Sequence, residues 1–310
     1  MTIVHPETAR QSADVRLPAF INVRSDTQTL PTPEMRRAIA EADLGDDTYG
    51  EDPSVNRLEA MAAEMTGMEA ALLVLSGTMG NLVALMTHAH PGDEVLLDFE
   101  SHIFYYEVGN MAQVAGLMPM PVAAPDGMMD PDALRQTIRK PNLHYPSAKV
   151  LCLENTHNRS GGRLVPLDLH NELCGIAREH GLKVHLDGAR IFNAAIAAKA
   201  PVSAFTENVD SLMFCLSKGL GCPLGSMLCG SRDFINRAQR ARKALGGGMR
   251  QAGIIAAAGI YALENHVDRL ADDHASARHL AEEINHIPRL SVDMHTVESN
   301  MIYIDHRETG

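Results

Sequence analysis

The chain has 310 residues, 45% of them hydrophobic, which supports one large domain plus a smaller one and excludes disordered and fibrous classes. Its 39 acidic against 27 basic side chains give a formal charge of -12, which argues against nucleic acid or anionic lipid as a partner while leaving room for a local cationic site. The 5 cysteines, set mostly in apolar runs without a C-x-x-C pair, predict reduced thiols in a cytoplasmic protein, and the 15 histidines lack H-E-x-x-H spacing, so no metal is expected.

Residues 1–22 read as an N-terminal extension: MTIVHPETARQSADVR has no apolar core, and no later run reaches membrane-spanning length. PEMRRAIAEA, from Pro33, predicts a helix with proline in its first turn, and SVNRLEAMAAEMTG a second, capped by Ser54 and stopped by Gly67. ALLVLSGTMGNLVALMTHA reads as an apolar strand, a Ser-Gly-Thr turn and an amphipathic helix. DEVLLD, KVLCLEN, GLKVHLDGAR and VDSLMFCLSKG are short apolar runs ending in polar residues or glycine, with helical stretches such as LDLHNELCGIAREHG between some of them. Buried strands alternating with helices predict an α/β fold with a mainly parallel sheet covered on both faces. After RDFINRAQRARKALGGGMRQAG the pattern becomes long helices, and SNMIYID reads as a closing strand.

In such a sheet, ligands bind beyond the carboxyl ends of the strands, which singles out Ser76 to Gly80, Glu154 to His157, Asp187 to Arg190 and Ser217 to Gly219. SGTMGN places small residues where a strand turns into a helix, and reads either as an anion cradle or as a plain N-cap. HLDGAR puts a carboxylate, Asp187, close to a guanidinium, Arg190; alone this reads equally as a structural pair. Lys218 in LSKG reads alone as a solvated strand end. Together the three supply a partner for a protonated heterocyclic nitrogen, a clamp for a planar carboxylate, and an amine able to condense with an aldehyde. Pyridoxal phosphate chemistry requires these groups.

The stretches VRSDTQT, GDDTYGEDPSVNRLE, SGTMGN, SHIFYYEVG, ENTHNRSGG, HLDGARIFNA, CLSKGLGCPLGS and KALGGGMRQAG occur in the order in which the low-specificity L-threonine aldolases carry theirs, and from Val23 onward the chain resembles that family. The resemblance implies the aspartate-aminotransferase-like fold of pyridoxal-phosphate enzymes (fold type I). It implies a mainly parallel seven-stranded sheet in a large domain over residues 23–270, and the start of a small C-terminal α/β domain over 271–310. It also implies cleavage of L-threonine, L-allo-threonine and related β-hydroxy-α-amino acids to glycine and an aldehyde. The basic stretch Arg237 to Lys243 beside the glycine run Gly246 to Gly248 predicts a homo-oligomer, expected to be a tetramer of two dimers.

Carried over by position, Lys218 holds pyridoxal 5'-phosphate, Asp187 faces its ring nitrogen, and His102 lies against the ring and reaches the substrate hydroxyl. Gly77 and Thr78 cradle the phosphate, while Arg190 and Ser25 hold the substrate carboxylate. His144 resembles a second histidine near that hydroxyl, so the base is His102, His144 or a water between them; Tyr49 lines the same pocket. Lys243 and Arg250, on either side of the glycine run, resemble residues given by a neighbouring subunit to the phosphate end. For Lys243 a solvated face of a basic helix is the alternative. β-Elimination or transamination on the same scaffold is the competing reaction, while a transcription regulator would need a basic helix-turn-helix that the residues before Val23 are too few to form. Resembling proteins continue past an SNMIYID-like strand and supply a further carboxylate-binding arginine there, so this chain, ending at Gly310, is expected either to be a truncated form or to lack part of the pocket, the first being favoured because the terminal strand would otherwise have few partners.

Overall fold

The computed structural model describes residues 21–140 and 142–306, so the proposed N-terminal extension lies outside it except for Ile21 and Asn22. In chain order the elements are α1 (Pro33–Ala40), α2 (Pro53–Thr66), β1 (Ala70–Val74), α3 (Gly77–His88), β2 (Glu94–Asp98), α4 (His102–Tyr105), α5 (Asn110–Gln113), β3 (Met118–Val122), α6 (Pro131–Thr137), β4 (Ala148–Glu154), α7 (Leu167–Glu179), β5 (Lys183–Asp187), α8 (Ile191–Ala198), α9 (Ser203–Thr206), β6 (Ser211–Cys215), β7 (Ser226–Gly230), α10 (Arg232–Ala244), α11 (Gly253–Asn265), α12 (Leu270–Ile284), β8 (Leu290–Ser291) and β9 (Asp305–His306).

The first seven strands form one sheet in the order β1-β7-β6-β5-β4-β2-β3. β2, β3, β4, β5 and β6 pair in parallel, and β7 runs antiparallel to both β1 and β6. The strands β2, β6 and β7, apolar at their centres, are buried at every position, as strands covered on both faces must be. Period-2 alternation splits each strand between two layers. Met213 of β6 packs with Val83 and Ala84 of α3 and Phe234, Ile235 and Ala238 of α10. Its neighbour Phe214 faces the larger cluster with Leu58 of α2, Leu173 of α7 and Ala256 of α11.

Local chemistry differs from the expectation at three places. α2 is capped by Asp52, whose Oδ1 accepts from Val55 N at 3.0 Å, with Pro53 as its first residue; Ser54 instead donates to the Asp43 carbonyl at 2.7 Å. Gly67 ends this helix at φ +69°, as a left-handed C-cap requires. MPMPV forms β3 despite Pro119 and Pro121, because β3 is an edge strand and alternate residues can turn their missing N–H groups away from β2. SNMIYID contributes only Asp305 to a strand: β9 pairs antiparallel with β8, and residues 301–304 are irregular.

Candidate active site

β4, β5 and β6 run in parallel, so Glu154, Asp187 and Cys215 end at one edge of the sheet, and Lys218 follows just beyond it. α3 starts at the same edge because β1 is aligned with β6 through the antiparallel β7. Two glycines let α3 lie directly on β6: a Cβ at Gly77 would meet Cys215 Sγ at 2.9 Å, and one at Gly80 would meet Met213 Cγ at 2.6 Å. Ser76 caps the helix, its Oγ accepting from Met79 N at 3.2 Å. The amides of Gly77 and Thr78 have no acceptor among the described residues and sit at the positive end of the helix dipole, where an anion is stabilised.

Asp187 is 1% exposed. Its Oδ1 accepts from Ala189 N at 3.1 Å and its Oδ2 from Asn81 Nδ2 at 2.8 Å. The same Asn81 nitrogen donates to Glu107 Oε1 at 2.9 Å, and Glu107 Oε1 lies 3.1 Å from His102 Nδ1. Glu154 fixes the loop from the other side, accepting from His102 N at 2.6 Å and from Asn158 N at 2.7 Å. Burial pushes the Glu107 carboxyl up, although His102 and Asn81 oppose it. Burial pulls the His102 imidazole down, but Glu107, Asp187 and Glu154 together outweigh it, and His102 stands above its ordinary value.

Arg190 is held by a bidentate pair: Nε and Nη2 donate to the two oxygens of Asp26 at 2.6 and 2.8 Å, and Nη1 donates to Asn158 Oδ1 at 3.1 Å. One N–H on each terminal nitrogen remains for a further acceptor. Asn300 also donates to Asp26 at 3.1 Å. Burial raises the Asp26 carboxyl, but Arg190 and Lys218 more than offset this and hold it below the usual range. Ser25 is exposed and caps the turn containing Asp26, its Oγ accepting from Thr27 N at 3.2 Å.

The remaining sequence-selected residues lie elsewhere. His144 is in an exposed turn before β4, at the amino ends of the strands, where neighbouring Tyr145 stacks under Arg139 and Arg139 pairs with Glu94 at the start of β2. A strand the length of β4 separates the two ends of the sheet by roughly 20 Å, so His144 does not join His102 within one chain. Tyr49 and Lys243 line a cavity of about 690 Å³ with Asp47, Gln239 and Arg240, apart from the Asp187 group. Arg250 is exposed beside it, donating to Asp46 at 2.9 Å. Asn81, Glu107, Asp26 and Asn158 complete the centre without having been singled out. Each lies in a quoted motif, but its role depends on a partner distant in sequence.

His102, Glu107 and Asp187 offer ligand atoms within 4.8 Å of one another. Asn81 Nδ2 already donates to both carboxylates, the pattern of a hydrogen-bonded carboxylate pair rather than a cation cage. The donor set does fit pyridoxal phosphate. Asp187 is a buried carboxylate with lone pairs left for a protonated ring nitrogen, the Gly77 and Thr78 amides suit a phosphate, and Lys218 brings an amine to the same edge.

The chain matches the family model described as "Beta-eliminating lyase" over residues 22–307. It is 46% identical over 289 residues to low-specificity L-threonine aldolase 1 of Arabidopsis thaliana, covering 92% of this chain and 81% of that one. It is 44% identical over 286 residues to the low specificity L-threonine aldolase of Escherichia coli K12, covering 92% and 84%. The solved structure of Leishmania major threonine aldolase superposes with a TM-score of 0.79 at 18% identity, covering 90% of this chain and 83% of that one. With its seven-stranded order and its site at the strands' carboxyl edge, the architecture is the aspartate-aminotransferase-like fold type I, and the chain belongs to the low-specificity L-threonine aldolase family.

Proposed function

We propose that this protein is a pyridoxal-phosphate-dependent aldehyde-lyase that cleaves L-threonine, L-allo-threonine and related β-hydroxy-α-amino acids between Cα and Cβ, giving glycine and an aldehyde. The observation that carries the reading is the edge that gathers Asp187, Lys218, His102 and Arg190 in a chain 44% identical to a bacterial low specificity L-threonine aldolase over 286 residues.

When bound, the cofactor supplies an electron sink for the pair released from the broken Cα–Cβ bond. Lys218 would supply the amine that holds it, and Asp187 would keep its ring nitrogen protonated. Gly77 and Thr78 donate to the phosphate. The spare N–H groups of Arg190 clamp the substrate carboxylate beside Ser25, with Asp26 holding the guanidinium plane. With its Nδ1 hydrogen directed at Glu107, His102 keeps Nε2 for the β-hydroxyl proton, so Glu107 selects the tautomer a base needs.

The proposed active unit is a homotetramer, in which Lys243, Arg250, Tyr49 and His144 act from a neighbouring copy. Exposure of all four, with Tyr49 and Lys243 lining the cavity of about 690 Å³, supports this. The proposed location is the cytoplasm, supported by five cysteines that are all free and buried. No partner in nucleic acid or membrane is proposed: the charge is -12, and no described helix is long and apolar enough to cross a membrane. The test incubates the loaded enzyme with L-threonine and with L-allo-threonine, measuring glycine by amino-acid analysis and acetaldehyde by coupled reduction. Equimolar glycine and acetaldehyde are expected. 2-Oxobutyrate with ammonia, the products of β-elimination, would overturn the reading.

A further inference from the structure

α3 lies so close to the sheet that its polar side chains can reach polar groups on two strands. Asn81, fully buried, meets both Asp187 and Glu107 through Nδ2, at 2.8 and 2.9 Å. On its other side, Oδ1 lies 3.0 Å from His185 Nε2. His185 is fully buried in the middle of β5, and its Nδ1 lies 2.9 Å from Ser211 Oγ on β6. Ser211 Oγ in turn lies 2.8 Å from His88 Nε2, at the last residue of α3. His88 stacks on Phe234 with ring centroids 4.5 Å apart.

The donor and acceptor roles along this chain are fixed by one constraint. As ionised carboxylates both groups only accept, so both hydrogens of Asn81 Nδ2 point at them while Oδ1, an amide oxygen, accepts. His185 therefore carries its hydrogen on Nε2. Burial holds His185 neutral by pulling its pKa down to about 4, so its Nδ1 is the acceptor for the Ser211 hydroxyl. His88, pulled down to about 3 chiefly by burial, is neutral as well, and its Nε2–H completes the series by donating to Ser211. Every hydrogen along His88, Ser211, His185 and Asn81 is directed toward Asp187 and Glu107. Bonds aligned in this way polarise one another, and here their sum falls on two buried carboxylates.

We propose that Asn81 is a positioning residue of the reaction centre: its amide joins the carboxylate that serves the cofactor ring, Asp187, to the carboxylate that orients His102, Glu107, and His185 with Ser211 and His88 locks that amide in register. The inference rests on the aldolase reading for the identity of the reaction. Without the amide, two buried carboxylates would face each other with no shared donor, and one would take up a proton. Either outcome damages the centre. A protonated Asp187 no longer offers the ring nitrogen a negative charge, and a protonated Glu107 is a weaker, uncharged acceptor for His102 Nδ1. Substrate carboxylate binding, which falls to Arg190, is untouched by the change.

The test uses the full-length chain carrying Asn81→Leu, His185→Leu or His185→Gln. The affinity for pyridoxal phosphate is measured by absorbance titration without substrate, and kcat and KM are measured with L-threonine. Asn81→Leu is expected to weaken cofactor binding about tenfold to hundredfold, the usual effect of losing hydrogen bonds to a buried charge. It should lower kcat at least about tenfold, with KM within about threefold of wild type, because only the groups that serve the cofactor and His102 are disturbed. His185→Leu should move both quantities the same way by less. His185→Gln, whose side-chain N–H can still donate to Asn81, should recover most of that loss. A folded Asn81→Leu protein with wild-type cofactor affinity and kcat overturns the assignment. Should Asn81→Leu fail to fold, equal behaviour of His185→Leu and His185→Gln overturns the role of the chain that locks it. If the wild type gives no glycine from L-threonine, the aldolase reading falls, while the substrate-free affinities still decide the role of Asn81.

Discussion

Lys218 is half-buried, and its carbonyl is tied back by the Thr29 hydroxyl at 2.7 Å and by Gly221 N at 2.8 Å, so the loop that carries the amine is held from both sides. Lys218→Ala is expected to retain phosphate-driven cofactor binding through Gly77 and Thr78 but to lose covalent attachment and turnover. Borohydride treatment followed by mass spectrometry checks this, and a reduced cofactor still linked to the variant contradicts it. His102 is the imidazole that the structure brings beside Glu107, whereas His144 belongs to the opposite edge of the sheet. His102→Asn should therefore lower kcat by about 100-fold or more, the usual cost of losing a general base. His144→Ala should cost less and should change the ratio of activities on threonine and allo-threonine. Steady-state kinetics of both variants on both substrates decide it, and a silent His102→Asn variant rejects His102 as the base.

At the scale of elements, the controlling contact is that of α3 on β6. Alanine in place of a helical glycine ordinarily gains up to about 1 kcal/mol, whereas overpacking a core costs about 1–3 kcal/mol. Gly80 has no such freedom, since a Cβ there would stand 2.6 Å from Met213 Cγ. Gly80→Ala is expected to destabilise. Gly175→Ala on α7, with nothing within 4 Å of the added carbon, is expected to be neutral or stabilising. Urea denaturation of the two variants against wild type measures the difference, and equal midpoints would show that α3 can move away from the sheet. The same close approach brings Asn81 to Asp187, so Gly80→Ala should also weaken cofactor binding.

For the molecule as a whole, buried charge bears on stability, and the proposed assembly bears on activity. Glu59 accepts from Leu73 N at 2.9 Å, and burial pushes its carboxyl up to about 7. Because the folded state binds this proton more tightly than the unfolded one, the stability it contributes is full below about pH 4.5 and is lost as pH rises through about 7. Glu59→Gln keeps an acceptor for Leu73 N without the charge. Its melting temperature relative to wild type is expected to rise between about pH 5 and about pH 8, by the equivalent of up to about 3 kcal/mol. A pH-independent difference by scanning calorimetry would contradict this. Assembly is tested by dilution: if neighbouring copies contribute Lys243 and His144, activity should fall as sedimentation shows monomer, and a fully active monomer would return these residues to a solvated role.

The apolar strand runs, the helices between them and the glycine that ends α2 were legible in the sequence because each is set by local periodicity and backbone preference. So were Asp187 and Lys218, since a parallel sheet brings the polar ends of its strands to one edge. β3 was hidden because its prolines are tolerated only at an edge, which strand order alone decides. Ser54 was taken for the cap of α2 where Asp52 is, because Asp52 is selected by two further amides, Gly45 N and Gly253 N, at 3.1 and 2.9 Å, one of them far along the chain. Asn81, Glu107 and Asp26 lay within recognisable motifs without a visible role. A side-chain amide between two carboxylates, or a guanidinium held flat by an aspartate from the other end of the domain, exists only once α3, β5 and the N-terminal turn have packed together. The separation of His144 from His102 was likewise decided by which end of β4 each side chain flanks. The kind of chemistry was legible in the combination of Asp187, Arg190 and Lys218 with the order of the motifs around them, since each residue alone reads as an ordinary strand end. Tertiary packing decided which groups share protons, because hydrogen bonds between buried charges depend on distances of a few ångströms that no spacing along the chain encodes.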